Sequence, residues 1–96
     1  MTGTGSAINV SVGFTPARVE IINETDPGHY IWTDTMGAGE MLKLVDGTVA
    51  LTFASSGGIS TYAGSSGSAA KGFTIGADAD MNGSGDTLHW VAWPAD

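Results

Sequence analysis

The chain has no cysteine among its 96 residues and only three basic side chains, Arg18, Lys43 and Lys71. The first absence excludes disulfides, thiol nucleophiles and cysteine-ligated zinc. A small secreted domain commonly leans on disulfides, so their lack points to assembly inside a cell. The second absence excludes a surface built to neutralise phosphates. With a net charge of −7, both nucleic acid and an anionic membrane would repel the chain. Charge of either sign is scarce, at 14% of residues against roughly a quarter in ordinary domains. No apolar run is long enough to span a bilayer, and MTGTGSAINV lacks the basic and apolar regions of a signal peptide. No stretch requires a helix.

What is present is glycine, 15 residues of it, set among serine, threonine, alanine and short alternating runs. From Ile8 the pattern places Ile8, Val10, Val12 and Phe14 on one side, a period of two that predicts a strand. In ARVEIIN, Val19 and Ile21 point inward and Arg18 and Glu20 outward. ETDPGH, with Pro27 fixing φ and Gly28 free to reverse the chain, separates this strand from YIWT. Asp46-Gly47 is a hairpin signal and predicts a β-hairpin over 40–54, with Val49, Leu51 and Phe53 sharing a face. Residues 55–72, dense in glycine, serine and alanine, read as a long loop pinned by Ile59 and Tyr62. GFTIG and TLHWVAW close the fold. Leu88, Trp90 and Ala92 lie opposite His89, Val91 and Trp93, a pattern expected of a strand covered on both sides. The expected architecture is all-β: a single compact β-sandwich or small barrel of about seven or eight short antiparallel strands over 8–96. Residues 1–7 are expected as a flexible N-terminal arm.

DADMNGSGDT, residues 78–87, has the early spacing of an EF-hand calcium loop. Its twelfth position holds His89 where a bidentate carboxylate is needed, and its flanks are strand-like rather than helical. The stretch is therefore read as a turn, with Asp78, Asp80, Asn82 and Asp86 the residues a non-EF calcium site would use. His29 and His89 lie on separate elements without further zinc ligands, and no cofactor is expected. Gly-Ser-rich GSSGS lacks the strand-to-helix elbow of a serine nucleophile, and GAGE lacks a dinucleotide fingerprint. Enzymatic activity is not expected. Of the tryptophans, Trp90 is in phase with Leu88 and reads as core, Trp93 reads as an interface residue, and Trp32 fits either role.

VGFTPARVEIIN, residues 12–23, together with KGFTIGADADMNGSGDTLHWVAW, residues 71–93, resembles a pattern of small tailed-phage virion proteins. These have a Gly-Phe-x-Pro strand near the start and an Asp/Asn/Gly turn before an aromatic-Ala strand at the end. The resemblance covers somewhat over a third of the chain and leaves the middle unmatched. It implies a capsid decoration (cement) protein: a β-domain, typically a homotrimer, on the outer surface of the head shell. The partner would be the major capsid protein lattice, and the location the virion head after assembly in the host cytoplasm. Contact candidates are Ile8, Val10, Ile59, Tyr62 and Trp93. The alternative is a glycan- or host-surface-binding tail-fibre tip. The chain begins at a methionine and carries no collagen-like or coiled-coil shaft, which favours the decoration protein.

Overall fold

A computed structural model describes residues 1–45, 51–64 and 70–95 of the chain. Among these residues seven strands form in chain order: β1 (Ile8–Ser11), β2 (Pro16–Asn23), β3 (Gly28–Thr33), β4 (Glu40–Val45), β5 (Thr52–Tyr62), β6 (Gly72–Ile75) and β7 (Leu88–Pro94). They make one antiparallel sheet in the order β1-β6-β5-β4-β3-β2-β7, curled into a half-barrel. The alternation expected of ARVEIIN holds: Val19, Ile21 and Asn23 are buried while Arg18 and Ile22 are exposed. Period-two side chains can bury only one face of a strand, and the cross-strand partners inherit that face. Thus Val19 lies beside Trp32 and Ala92, and Ile21 beside Tyr30 and Trp90.

The concave side encloses the core: Val19, Ile21, Tyr30, Trp32, Met41, Ile59, Phe73, Ile75, Met81 and Leu88. Trp32 satisfies its indole N–H at the Gly37 carbonyl, 3.2 Å away, so it is buried without leaving a donor unpaired. Phe73 from β6 meets Trp90 from β7 edge-on, with ring centroids 5.2 Å apart. This contact joins strands near opposite ends of the sheet order and is a direct measure of the curl.

Two expectations need correction. Residues 55–72 are not one loop, because β5 runs through Gly57, Gly58 and Ile59 to Tyr62. Small residues are required there. A Cβ at Gly58 would stand 2.7 Å from the Gly39 carbonyl oxygen and 2.8 Å from that of Glu40. The register also shifts, with Glu40 opposite Ile59 but Met41 opposite Ala54, so Ser55–Gly58 bulges from the β4 ladder. Composition signalled a loop; the chain uses it for close strand approach. Of the remainder, 65–69 lie outside the described residues, as does the Asp46-Gly47 turn of the expected hairpin.

The second correction concerns residues 1–7. They were expected as a free arm, yet Gly3 is buried and the segment is hydrogen-bonded along residues 82–88. Leu88 N–H donates to the Met1 carbonyl at 2.8 Å, Gly3 N–H to Asp86 at 2.8 Å, and Gly5 N–H to Asn82 at 3.0 Å. Gly3 fits because a Cβ there would run into the Gly83 carbonyl oxygen. Backbone pairing needs no apolar side chains, which is why hydropathy gave no sign of it.

Candidate functional site

Two regions compete for a functional role: the Asp-rich segment after β6 and the outward face of the sheet. In the first, Asp78 acts as the organiser of a turn. Its Oδ1 accepts the N–H groups of Asp80 (3.0 Å) and Met81 (3.1 Å), an Asx-type arrangement that satisfies backbone donors locally. Its Oδ2 receives Lys43 Nζ at 2.8 Å, and Asp80 Oδ2 receives the same ammonium at 3.1 Å. Burial works against the charge on Lys43, but the hydrogen bonds and charges of Asp78 and Asp80 outweigh it and hold its pKa above the usual lysine value.

The other two calcium candidates face elsewhere. Asn82, fully buried, accepts Thr4 N–H at 2.9 Å and donates to the Ser6 (2.8 Å) and Gly76 (3.0 Å) carbonyls. Asp86 Oδ2 accepts from Asn23 Nδ2 at 2.9 Å. Asn23, itself buried, also donates to the Asp80 and Met81 carbonyls and accepts from Thr25 and Asp26 N–H. Asp78 and Asp80 are thus brought together on a lysine, while Asn82 and Asp86 are used as structural clips. Among the described residues no three carboxylates or histidines converge in a way that could hold a metal ion.

Tyr30 is the one group in this region with an unanswered need. Its ring is fully buried and its hydroxyl has no hydrogen-bond partner among the described residues. Burial pushes its pKa far up, and the carboxylates of Asp80, Asp78, Asp26 and Asp86 push the same way.

The second region is the convex face of β7, β2, β3, β4 and β5. Cross-strand register assembles it in rows. Val91, Glu20, Ile31, Leu42 and Phe53 form one row, and His89, Ile22, His29 and Leu44 the next. Trp93, Arg18 and Thr33 form a third. Five of the apolar members stand in solvent, Val91 51% exposed, Phe53 55%, Ile22 and Leu44 46% each and Trp93 42%, while Ile31 and Leu42 are half-buried. Five strands about 4.8 Å apart and roughly 20 Å long give a face on the order of 500 Å² in projection. Its apolar members hold only part of that area, because Glu20, Arg18, His29, His89 and Thr33 share the rows.

The charges on this face are internally matched. Glu20 takes Arg18 and, at 2.8 Å, His29. The His29 hydrogen bond, with Arg18 behind it, lowers the Glu20 pKa despite partial burial. Glu24 takes His89 at 2.7 Å, and the Arg18 guanidinium lies 5.1 Å above the Trp93 ring. The chain is strongly acidic, yet this face offers another protein apolar area and paired charge.

Of the expected contact residues, only Trp93 sits on this face. Ile59 is fully buried in the core and unavailable to any partner, because β5 is paired on both sides and its inward side chains are covered. Ile8 and Val10 are half-buried against the same core on edge strand β1, and Tyr62 is half-buried at the end of β5. Sequence reasoning missed Ile22, Ile31, Leu42 and Leu44 as a surface. The signal existed in strands apolar on both faces, but burial on both faces would leave the same pattern. Compared with known proteins, the chain matches no family model, no curated protein and no solved structure.

Proposed function

We propose that the chain is a non-enzymatic structural virion protein that decorates a tailed-phage head, docking on the capsid lattice through its convex sheet face. The observation that carries this reading is that face: exposed Val91, Phe53, Ile22, Leu44 and Trp93 in adjoining rows, with every ionisable neighbour paired. A rigid sheet presents such a surface at little entropic cost, since strand residues are already ordered. Repetition over a lattice turns modest single contacts into firm attachment. The acidic remainder of the molecule keeps free copies soluble and apart. The resemblance at residues 12–23 and 71–93 names a head shell as the partner.

The test is binding to expanded, undecorated tailed-phage heads, by sedimentation and electron microscopy, for the natural chain and for a Phe53→Ser, Val91→Ser double variant. Saturable occupancy at regular lattice points, lost in the folded variant, is the expected result. Equal binding by the variant would remove the convex face from the mechanism. Failure to bind heads together with binding to a glycan array would transfer the chain to the fibre-tip reading.

A further inference from the structure

Every ladder in the sheet is antiparallel, so strand direction alternates along the order β1-β6-β5-β4-β3-β2-β7. The two end strands are six steps apart and therefore run the same way. An odd number of antiparallel strands cannot close on itself with antiparallel pairing alone. The half-barrel is left with a seam between β1 and β7, across which no ladder forms among the described residues. One additional strand, antiparallel to both, would complete an eight-stranded barrel, a size whose interior side chains fill.

The β7 side of that seam already accepts such a strand over a short length. Thr2 pairs antiparallel with Thr87. Met1 exchanges both backbone hydrogen bonds with Leu88: its ammonium donates to the Leu88 carbonyl at 2.9 Å and its carbonyl accepts from Leu88 N–H at 2.8 Å. Leu88 therefore directs its backbone groups away from β2. In a strand the direction alternates, so Trp90 and Ala92 direct theirs into the seam as well. On the opposite side, Val12 N–H donates to the Lys71 carbonyl at 2.8 Å, toward the β6 side. By the same alternation Asn9 and Ser11 present their N–H and C=O groups to the seam. The floor is apolar: Trp90 points inward against Phe73, yet remains 38% exposed. A residue in core phase that stays open to solvent marks where the barrel is unfinished.

We propose that this seam is a strand-acceptor site. Its occupant is an extended segment of a partner protein, running antiparallel to β7 alongside Trp90 and Ala92. Main-chain hydrogen bonds to Trp90 and Ala92 on one side and Asn9 and Ser11 on the other supply attachment, as in other cases of β-strand addition. Specificity follows from the pleat. Alternate side chains of the segment face the floor beside Trp90, Ala92 and Val10 and must be apolar. The intervening ones face solvent and must not be acidic, because the chain carries −7. This site is independent of the convex face: the segment enters at the edges, and the face between them stays free.

The experiment titrates the full chain with a lysine-capped peptide of alternating valine and threonine, and follows amide hydrogen exchange residue by residue. Slowed exchange at Trp90, Ala92, Asn9 and Ser11 together is the expected result. The companion variant is Ala92→Pro, which removes one seam-facing donor and is tolerated where that N–H lacks a ladder partner. It keeps the parent's melting behaviour and weakens peptide binding by about tenfold or more. The proposal is overturned by unchanged exchange at saturating peptide, by protection of β7 amides without those of β1, or by full-strength binding to the folded Ala92→Pro chain. Seam protection that appears without peptide and grows with protein concentration also overturns it, since the occupant is then a second copy.

Discussion

Segment 78–88 and the convex sheet face invert one another. The first is written in aspartate, asparagine and glycine, the letters of an exposed turn, yet it buries Met81, Asn82 and Leu88 completely. The second is written in valine, isoleucine, leucine, phenylalanine and tryptophan, the letters of a core, and stands in water. The difference lies in hydrogen bonding and geometry rather than hydropathy. Asn23, Asn82 and Asp78 each satisfy several backbone groups, so their segment can close the open end of the half-barrel without orphaned donors. A single curled sheet has only one concave side. Among the described residues nothing covers the apolar side chains on the other side.

That inversion makes graded predictions. The largest effect belongs to Met81→Ala: the only long apolar side chain of the turn seals the core, and removing it costs about 2–5 kcal/mol in chemical denaturation. Asn82→Ala, which strips the clip to Thr4, Ser6 and Gly76, costs about 2–3 kcal/mol and frees the N-terminal segment to fast hydrogen exchange. If both variants were as stable as the parent, the turn would be surface after all. Tyr30→Phe works in the opposite direction. Deleting a buried hydroxyl without a partner should raise stability by about 1 kcal/mol.

Serine at Phe53 and Val91 should change stability by no more than about 1 kcal/mol, because these side chains are exposed already. A loss comparable to that of Met81→Ala would make the convex face part of the core. The last effects are those of pH. Lys43 and Tyr30 have raised pKa values, so their contributions are complete below about pH 10 and are lost as pH rises beyond it. Glu20, held low by His29 and Arg18, contributes fully above about pH 4.3 and loses that contribution as pH falls through its lowered value. Urea midpoints across the pH range should therefore show a plateau bounded on both sides. The alkaline limb should be shallower in Tyr30→Phe.

Much of the fold is legible in local pattern. Period two in INVS and ARVEIIN specifies strands and their inward residues; TLHWVAW is a strand as expected, but it is not covered on both sides, since only Leu88 is buried and Trp90, expected as core, is exposed with Val91 and Trp93. The aspartates of 78–86 and the turn letters of 24–27 specify reversals, although Gly28, expected to reverse the chain, already belongs to β3 without a positive φ. The candidate surface is harder to read, because a strand apolar on both sides gives one sequence for two outcomes, a covered face or a bare one. The N-terminal segment leaves still less trace. Its attachment consists of backbone hydrogen bonds, of the Asn82 side chain bonded to the Thr4 and Ser6 backbone, and of Gly3 passing close to Gly83, and nearly any small residues at 1–7 would spell the same thing.

The sequence by itself determined an all-β chain with acidic charge, cysteine-free chemistry and the inward residues of β2, since each follows from composition or from a two-residue period. Only the tertiary structure decided that Ile59 is core and Ile22 surface, that Asp78 and Asp80 share a lysine, and that seven strands leave a seam. Those facts depend on which strands become neighbours and on where the sheet stops curling. They are set by contacts between residues far apart in the chain, and local spacing carries no record of them.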